Sequence, residues 1–268
     1  NILRSSTYGT GLMIRHAAGQ KGVERILLGI GGSATNDGGV GMADALGALL
    51  LNKDEEPLSP FPGGLRDLAI IDLDQILDLP PIDVACDVDN PVLGANGATA
   101  VFGPQKGATP ADQAVLEDFL AHLIDLTGAK DLAVKPGAGA AGGLGFGLMY
   151  FLNAKLHPGF DLVSEALNLE SRITNADVVI TGEGSLDAQS LSGKGPIGVA
   201  QLANKLGKPV IAVAGHISDE VLTTSLFEQC FALTDFDLPL ETLMSDAENL
   251  ITQKVRSLSD LLLLLGEG

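Results

Sequence analysis

The chain has 268 residues, of which 46% are apolar and 19% charged, and its formal net charge is -18. This composition is typical of a globular protein with one large or two ordinary domains, and it excludes a disordered chain. The acidic charge argues against nucleic acid or an anionic membrane as a partner, because both require a cationic surface. An anionic small molecule stays compatible with it where lysines, helix N-termini or a divalent cation supply local positive charge.

The cysteines and the hydropathy pattern indicate a cellular compartment. Cys86 and Cys230 form neither a metal-ligand spacing nor a disulfide framework. We therefore expect reduced thiols in a cytoplasmic protein. No apolar stretch reaches the length of a membrane span without a break.

Apolar periodicity predicts alternating strands and helices along the chain. The predicted strands are 26–30, 69–73, 83–86, 176–181, 209–214 and 230–233, and the predicted helices are 9–18, 39–51, 110–128, 196–206 and 240–265. Thr109 and Pro110 mark the start of the third helix as its N-cap and N1 residues. The alternation favours the α/β class, with parallel-rich sheets covered by helices. A domain boundary is expected near Thr174, giving domains 1–173 and 174–268.

A glycine- and alanine-rich run, GAGAAGGLGFG at 137–147, precedes a further apolar helix. Such a run could act as a linker. Its apolar neighbours favour instead a close contact with a helix or a sheet, which only small residues allow.

The most specific local signal lies between the first predicted strand and the helix that follows it. Residues 31–39 combine glycines with Ser33, Thr35, Asn36 and Asp37. Glycines let a ligand approach the backbone amides closely, and a helix N-terminus attracts anions. The alternative is a tight turn in which Asp37 caps the helix. The added polar side chains favour an anion-binding site.

Two more predicted strands end in polar corners. One corner carries Asp87, Asp89 and Asn90, and the other carries Glu183, Asp187, Ser190, Ser192 and Lys194. Ligands of parallel sheets bind beyond the carboxyl ends of the strands. If the corners converge, their side chains suit phosphoryl transfer, with carboxylates for Mg²⁺ and with lysine and glycine amides for phosphates.

Each of these corners also has a plain structural explanation. The sequence Asp89-Asn90-Pro91 is compatible with an Asx turn, and the sequence around Lys194 lacks the Walker A spacing. Lys106 lies in a glycine-rich turn at 103–107, for which a phosphate contact and a simple turn both stay open.

Four segments in order are more specific than any one of them: IGGSATNDGGVGMADALGA (30–48), ACDVDNPVLGANGATAVFGPQKGA (85–108), PGAGAAGGLGFGL (136–148) and VITGEGSLDAQSLSGKGPIGVA (179–200). Together they resemble bacterial glycerate kinases of the two-domain type. The resemblance implies ATP-dependent phosphorylation of D-glycerate, with the 2-phosphate favoured as product and Mg²⁺ as cofactor. It also implies two α/β domains with the active site in the cleft between them. Residues 174–268 would be the C-terminal half of an incomplete Rossmann- or flavodoxin-like domain, and 1–173 an inserted α/β domain.

The sequence departs from that family at two points. It lacks the PDSFK-like and DGGEGT-like motifs of the family's first segment, and Ser185 stands where many members carry arginine. We therefore expect this chain to correspond to the later part of such a kinase. No ionic role of that arginine can be transferred.

The resemblance and the side-chain chemistry together give each candidate residue a role. The catalytic candidates are Asp37, Asp187 and Lys194. The substrate-binding candidates are Gly31, Gly32, Ser33, Thr35, Asn36, Asp87 and Asn90. The nucleotide- or phosphate-binding candidates are Gly182, Glu183, Gly184 and Lys106, and the metal-binding candidates are Asp89 and Glu183.

D-glycerate and ATP are thus the expected small-molecule partners, without nucleic acid or membrane, and a homo-oligomer is an open option. Two other function classes stay open on the sequence. One is a kinase for a different small hydroxy acid, and the other is a non-catalytic module that binds small anions.

Overall fold

The fold is seen in a computed structural model that describes residues 1–188, 190–192 and 195–257. Contacts within the chain divide it into two compact units. Unit 1 is Asn1–Leu162, and unit 2 begins at Val163. The assignment of 1–173 to an inserted domain and of 174–268 to half of a Rossmann-like domain stays a prediction.

Unit 1 is built around a parallel sheet. The strands of unit 1 are β1 (Ile26–Gly29), β2 (Leu49–Leu51), β3 (Ile70–Asp72), β4 (Ile82–Ala85) and β5 (Lys155–His157). Its helices are α1 (Tyr8–Ala18), α2 (Val40–Ala45), α3 (Ala98–Phe102), α4 (Pro110–Thr127), α5 (Lys130–Ala133) and α6 (Ala140–Leu152), with 3-10 turns at Ile2–Arg4, Pro62–Gly64 and Pro104–Lys106. The parallel sheet has the order β1-β4-β5. The α/β class with parallel sheets, predicted from the alternation, is confirmed.

Helix α4 shows how the sequence specifies an element of this unit. Thr109 accepts a hydrogen bond from the Asp112 amide, and the Asp112 side chain accepts one from the Thr109 amide, so the two form a capping box. Pro110 takes the first helical position, where its missing N–H costs nothing. The apolar residues of α4 lie on one face and are buried in the unit 1 core, among them Leu120 and Leu123. The predicted start and extent of this helix are confirmed.

The strands of unit 2 are β6 (Val179–Thr181), β7 (Ser185–Leu186), β8 (Val210–Ala214), β9 (His216–Ile217) and β10 (Gln229–Ala232). Three of them form a second parallel sheet, in the order β10-β8-β6. The helices of unit 2 are α8 (Leu169–Thr174), α9 (Pro196–Lys205), α10 (Asp219–Leu222), α11 (Leu240–Ser245) and α12 (Ala247–Ser257), and α7 (Gly159–Ala166) includes the division between the units. The 3-10 turns of unit 2 are Ser190–Ser192 and Leu233–Phe236. Within the described ranges, no helix is both long and apolar enough to cross a membrane.

The predicted helix at 39–51 is wrong in its second half. Helix α2 ends at Ala45. Gly47 has a φ of 111°, and a Cβ at this position would overlap the Gln75 carbonyl oxygen. Residues Leu49–Leu51 then form β2, which pairs antiparallel with β3. Leu49 is exposed whereas Leu50 is buried, which is the two-residue period of a strand and not the period of a helix.

The predicted final helix at 240–265 is also wrong as one continuous element. The structure divides it at Asp246 into α11 and α12. Residues 258–265 of that prediction lie outside the described residues. Strand β5 and the short strands β7 and β9 did not emerge from the sequence, because two or three residues carry too little periodicity.

A left-handed turn inside α6 explains the glycine- and alanine-rich run. Ala141, Gly142 and Gly143 have φ values of 53°, 72° and 83°. The Gly142 carbonyl accepts a hydrogen bond from the Gly38 amide at 3.1 Å, and a Cβ on Gly142 would overlap the Thr35 carbonyl oxygen. The run therefore packs backbone against backbone on the segment that precedes α2, as predicted for small residues.

A buried carboxylate links the strands of the unit 1 sheet. Asp83 of β4 lies 2.5 Å from Arg25 Nε and 2.6 Å from His157 Nε2. The Arg25 guanidinium lowers the pKa of the Asp83 carboxyl, burial opposes the shift, and His157 lowers the pKa further. Because Arg25 precedes β1 and His157 lies on β5, the charged form of Asp83 ties the three strands together.

Gly142→Ala is expected to destabilise unit 1 by at least about 3 kcal/mol, because it adds steric overlap to an unfavourable backbone conformation. Gly128→Ala is the matched control, since Gly128 has a φ of 66° with open space around it. The control should lose only about 1 kcal/mol. Urea unfolding measures both changes, and equal losses would contradict the proposed backbone contact.

Asp83→Asn is expected to lower the free energy of unfolding by about 1 kcal/mol at neutral pH, a modest value because Arg25 is partly exposed. A carboxyl group with a lowered pKa in the folded state stabilises above its unfolded pKa and loses that effect as pH falls. The difference between variant and parent should therefore shrink below about pH 4. A difference that is the same at pH 7 and pH 3 would contradict this account.

Candidate functional site

The polar corners of unit 1 meet at the carboxyl end of its parallel sheet. Gly31 follows β1, Asp87 follows β4 and Gly159 follows β5. The Gly159 amide donates a hydrogen bond to Asp87 Oδ1 at 2.8 Å, so the corner after β4 is fixed by the residue that follows β5. The expectation that polar corners converge is met for the first two corners, which lie in the same unit.

A cavity of about 250 Å³, the unit 1 cavity, lies at this edge. Its lining residues are Ile30, Gly31, Gly32, Ser33, Ala85, Cys86, Asp87, Val88, Phe102, Gln105, Lys106, Ala140 and Ala141. Gly31 and Gly32 are exposed, and neither has another atom where a Cβ would stand. The glycine corner therefore presents an open backbone surface to a small ligand.

Lys106 is the cationic side chain among the described residues that line this cavity. Its ammonium group donates a hydrogen bond to the Thr35 carbonyl oxygen at 2.8 Å. Burial lowers the pKa of Lys106 to about 8, and the charge of Asp37 opposes the shift. A half-buried ammonium group beside open glycine backbone can bind a carboxylate or phosphate group.

Asn36 lies under the glycine corner and is fully buried. Its amide nitrogen donates to Thr99 Oγ1 at 2.9 Å, while its Oδ1 has no hydrogen-bond partner within the described part of the chain. Thr35 contributes its carbonyl oxygen to Lys106. In this structure Asn36 and Thr35 therefore stabilise the conformation of the glycine corner at residues 31–33 through their hydrogen bonds to Thr99 and Lys106.

Asp37 is fully buried at the N-terminal end of α2. Its Oδ2 accepts hydrogen bonds from the Thr7 amide at 2.7 Å and from Thr7 Oγ1 at 2.8 Å. The amides of Gly39 and Gly41 also donate to this carboxylate, at 3.2 and 3.3 Å. Burial raises the pKa of Asp37, and these hydrogen bonds oppose the rise. The carboxylate joins the starts of α1 and α2.

Asp89 and Asn90 are not among the residues that line the unit 1 cavity. The Asn90 amide nitrogen donates to the Asn96 carbonyl at 2.8 Å, and the Asn90 carbonyl accepts from the Gly139 amide at 2.8 Å. Asn90 therefore orders the loop after β4. Asp89 is exposed on the same loop.

The third predicted corner lies at the carboxyl ends of β6, β8 and β10 in unit 2. There a cavity of about 760 Å³, the unit 2 cavity, is lined by Ile180, Thr181, Gly182, Glu183, Gly184, Ser185, Val213, Ala214, Gly215, His216, Leu233, Thr234, Leu240, Leu243, Met244, Ala247 and Ile251. One wall is apolar and comes largely from α11 and α12. The other wall is the backbone that follows β6.

Gly182 and Gly215 allow the strand ends to run close together. A Cβ on Gly182 would overlap the Val213 carbonyl oxygen. The Gly215 amide donates to the Glu183 carbonyl at 3.2 Å, and the His216 amide donates to the Gly184 carbonyl at 3.1 Å. This pairing continues into β7 and β9 and exposes residues 182–185 along the cavity.

Ser190 connects the two carboxylates of this corner. Its hydroxyl donates to Glu183 Oε1 at 2.8 Å, and its amide donates to Asp187 Oδ1 at 3.3 Å. The Asp187 amide in turn donates to Ser190 Oγ at 3.3 Å. The carboxylates of Glu183 and Asp187 are thus both bonded to Ser190, the first through its hydroxyl group and the second through its amide. Lys194, predicted to act beside them, lies outside the described residues, as does the side chain of Ser192.

Several residues that support the candidate sites are not predicted from the sequence. Thr7 binds Asp37 from thirty positions away, and Thr99 of α3 binds Asn36 from 63 positions away. No local spacing signals such pairs. Leu240, Leu243 and Met244 of the apolar wall have the spacing of one helix face, but this spacing is typical of any amphipathic helix and does not predict a cavity.

Groups of three or more histidine, cysteine, aspartate or glutamate side chains that could hold a metal ion are absent from the described ranges. The candidate metal ligand Asp89 lies in unit 1, and the candidate metal ligand Glu183 lies in unit 2. Their metal-binding roles stay predictions.

Comparisons with known proteins place the chain among its relatives. Residues 1–263 match the model of the glycerate kinase family. A glycerate kinase of Halalkalibacterium halodurans is 46% identical over 267 residues, which cover 97% of this chain and 70% of the relative. A glycerate 2-kinase of Escherichia coli is 49% identical over 226 residues, which cover 82% of this chain and 59% of the relative.

A solved structure shows the same fold. The crystal structure of a putative glycerate kinase 2 from Salmonella typhimurium LT2 aligns with a TM-score of 0.77 and 44% sequence identity. The alignment covers 87% of this chain and 62% of that chain, so the sequence spans less than two thirds of that protein's length. On the match to the family model and on these identities, the chain belongs to the glycerate kinase family.

Proposed function

We propose that the protein takes part in the ATP-dependent phosphorylation of D-glycerate, with 2-phosphoglycerate as the product. The observation that carries this proposal is the unit 1 cavity, where Lys106, the glycine corner and Asp87 line a space of about 250 Å³ in a member of this family. The 2-position is supported by the relative named glycerate 2-kinase. A cytoplasmic location follows as part of the proposal, since the phosphoryl donor is ATP.

Glycerate would bind in the unit 1 cavity through its carboxylate. The Lys106 ammonium group and the backbone around Gly31 and Gly32 supply the positive partners, and Ser33 can donate a further hydrogen bond. Asp87 lies in the same lining and can accept the proton of the reacting hydroxyl group. Its orientation is set by the Gly159 amide.

ATP would bind in the unit 2 cavity. The apolar wall from α11 and α12 suits the flat face of a purine base, and the exposed backbone of Gly182, Glu183 and Gly184 suits its phosphates. The proposed roles of these three residues are therefore as phosphate-binding groups. Lys194 keeps its proposed role as a phosphate partner.

Glu183 and Asp187 fit the requirement of Mg²⁺ in kinases, which is one or two carboxylates together with the nucleotide phosphates. Ser190 already holds both carboxylates within its hydrogen-bonding reach. The metal ion would supply neutralisation of the phosphate charge. The chain's own contribution is to keep the two carboxylates oriented before the nucleotide arrives.

Asp37 is a positioning residue in this proposal, in place of the catalytic role that the sequence predicts. Its oxygens are occupied by Thr7 and by the amides of Gly39 and Gly41. A carboxylate buried in this way orients the glycine corner through α2 and does not reach a ligand in the unit 1 cavity.

The first experiment is turnover with D-glycerate, ATP and Mg²⁺, followed by ³¹P NMR of the product. Phosphate on carbon 2 couples to one proton and gives a doublet, whereas phosphate on carbon 3 gives a triplet. Lactate and tartronate serve as competing substrates. ATP consumption with one of these acids alone would replace glycerate by another hydroxy acid, and binding of glycerate without ATP consumption would favour an anion-binding module.

Lys106→Met is expected to raise the KM for glycerate at least about tenfold, because it removes the cation that faces the carboxylate. With a pKa of about 8, Lys106 is charged below that pH and neutral above it. The KM of the parent protein should therefore rise as the pH passes 8, and Lys106→Arg should remove this rise. Lys53→Met, at an exposed lysine elsewhere in unit 1, is the matched control. A KM that Lys106→Met leaves unchanged would contradict the assignment.

Asp37→Asn is expected to lower the free energy of unfolding by about 1–3 kcal/mol, because the amide cannot accept all the hydrogen bonds of the carboxylate. The kcat of the folded fraction should stay within about tenfold of the parent. Asp87→Asn should show the opposite behaviour, with little change in stability and a kcat lowered at least about a hundredfold. A hundredfold loss of kcat in folded Asp37→Asn would restore the catalytic interpretation of Asp37.

A further inference from the structure

Another cavity of unit 1 lies at the far end of α6 from the unit 1 cavity. Ala140 and Ala141, at the start of α6, line the unit 1 cavity. The second cavity, called here the distal cavity, has a volume of about 390 Å³. It is lined by Leu132, Lys135, Pro136, Met149, Asn153, Ala154, Lys155 and Leu156.

The charged side chains of the distal cavity are both cationic. Lys135 and Lys155 contribute ammonium groups and Asn153 contributes an amide, while the lining includes neither aspartate nor glutamate. Lys155 and Asn153 also border a neighbouring cavity of about 530 Å³, whose lining does include aspartates, so Lys135 is the lysine that belongs to the distal cavity alone. Within the described part of the chain, neither lysine has a carboxylate within 4.0 Å, although Lys130 pairs with Asp125 in the same unit. Two unpaired lysines at one cavity contrast with a formal net charge of -18.

Asn153 adds a hydrogen-bond donor to the lining of the distal cavity. It ends α6 with a φ of 51° and a ψ of 31°, a left-handed conformation that asparagine tolerates better than most residues. Its backbone amide donates a hydrogen bond to the Leu148 carbonyl oxygen. Its side chain is exposed at the cavity between the end of α6 and Lys155 of β5.

We propose that the distal cavity binds a small organic phosphate, a phosphate monoester on a short carbon skeleton. The Lys135 and Lys155 ammonium groups and the Asn153 amide face the phosphate oxygens. The carbon skeleton lies on the apolar part of the wall, formed by Leu132, Met149 and Leu156. The proposal does not rest on glycerate phosphorylation, since it uses none of the residues assigned to that reaction.

The test is a titration of ¹⁵N-labelled protein with inorganic phosphate, and then with glycerol phosphate, at low ionic strength and neutral pH. Backbone amides of residues 132–135 and 153–156 should shift in a saturable way, with a Kd of about 1–10 mM. Glycerol phosphate should bind more tightly than inorganic phosphate because it also contacts the apolar wall. The unchanged remainder of each spectrum reports that a variant is folded.

Two matched double variants decide the assignment. Lys135→Gln with Lys155→Gln should weaken binding at these amides at least about tenfold. Lys21→Gln with Lys53→Gln changes the net charge equally at exposed positions and should leave the Kd within about twofold. Equal weakening in both variants, shifts that do not saturate, or shifts confined to residues 31–33 and 105–106 would each overturn the proposal. If Lys106→Met loses glycerate turnover while the amides of the distal cavity still shift with phosphate, the result bears on the proposed function and leaves the distal cavity assigned as a phosphate site.

Discussion

The candidate site of unit 1 depends on a contact between two stretches of backbone. The left-handed turn at Ala141–Gly143 presses against the segment from Thr35 to Gly38, with no side chain between them. This contact fixes the direction of the Thr35 carbonyl, which Lys106 then binds. A ligand corner made of mobile glycines would lose conformational entropy on each binding event, and here the surrounding backbone has already restricted it.

Electrostatics would give the proposed glycerate site its selectivity for an anion. The chain as a whole is strongly acidic, so an anion reaches it only where local positive groups outweigh the general field. In unit 1 those groups are Lys106 and the glycine corner. Asp37 is buried directly behind that corner, where neutral backbone and hydroxyl donors surround its carboxylate. The Asp37 carboxylate is therefore kept out of the cavity lining, and the carboxylate that does line the cavity is that of Asp87.

The sequence predicts the parts of this structure that depend on local signals. The capping box of Thr109, the parallel strands and the glycine corner follow from residue types at short spacing, and the grouping of Gly31 with Asp87 follows from the rule for parallel sheets. The helix predicted over Leu49–Leu51 is wrong because a leucine-rich segment fits both a helix and a strand, and only its pairing with β3 decides between them. The pairing of Asp37 with Thr7 joins residues far apart in the chain, so no pattern in either segment reveals it. A residue that supports a site and one that contacts a ligand then look alike in the sequence.

The half-buried amine of Lys106 has a chemical consequence beyond electrostatics. Neutral amines attack acylating and alkylating reagents whereas ammonium ions do not, and most surface lysines keep their protons near neutral pH. With a pKa of about 8, Lys106 carries a much larger neutral fraction than a solvent-exposed lysine. Its position on the unit 1 cavity also makes it accessible to small reagents. The burial that lowers the pKa of Lys106 thus also makes this side chain the natural attachment point for a covalent label or inhibitor aimed at the cavity.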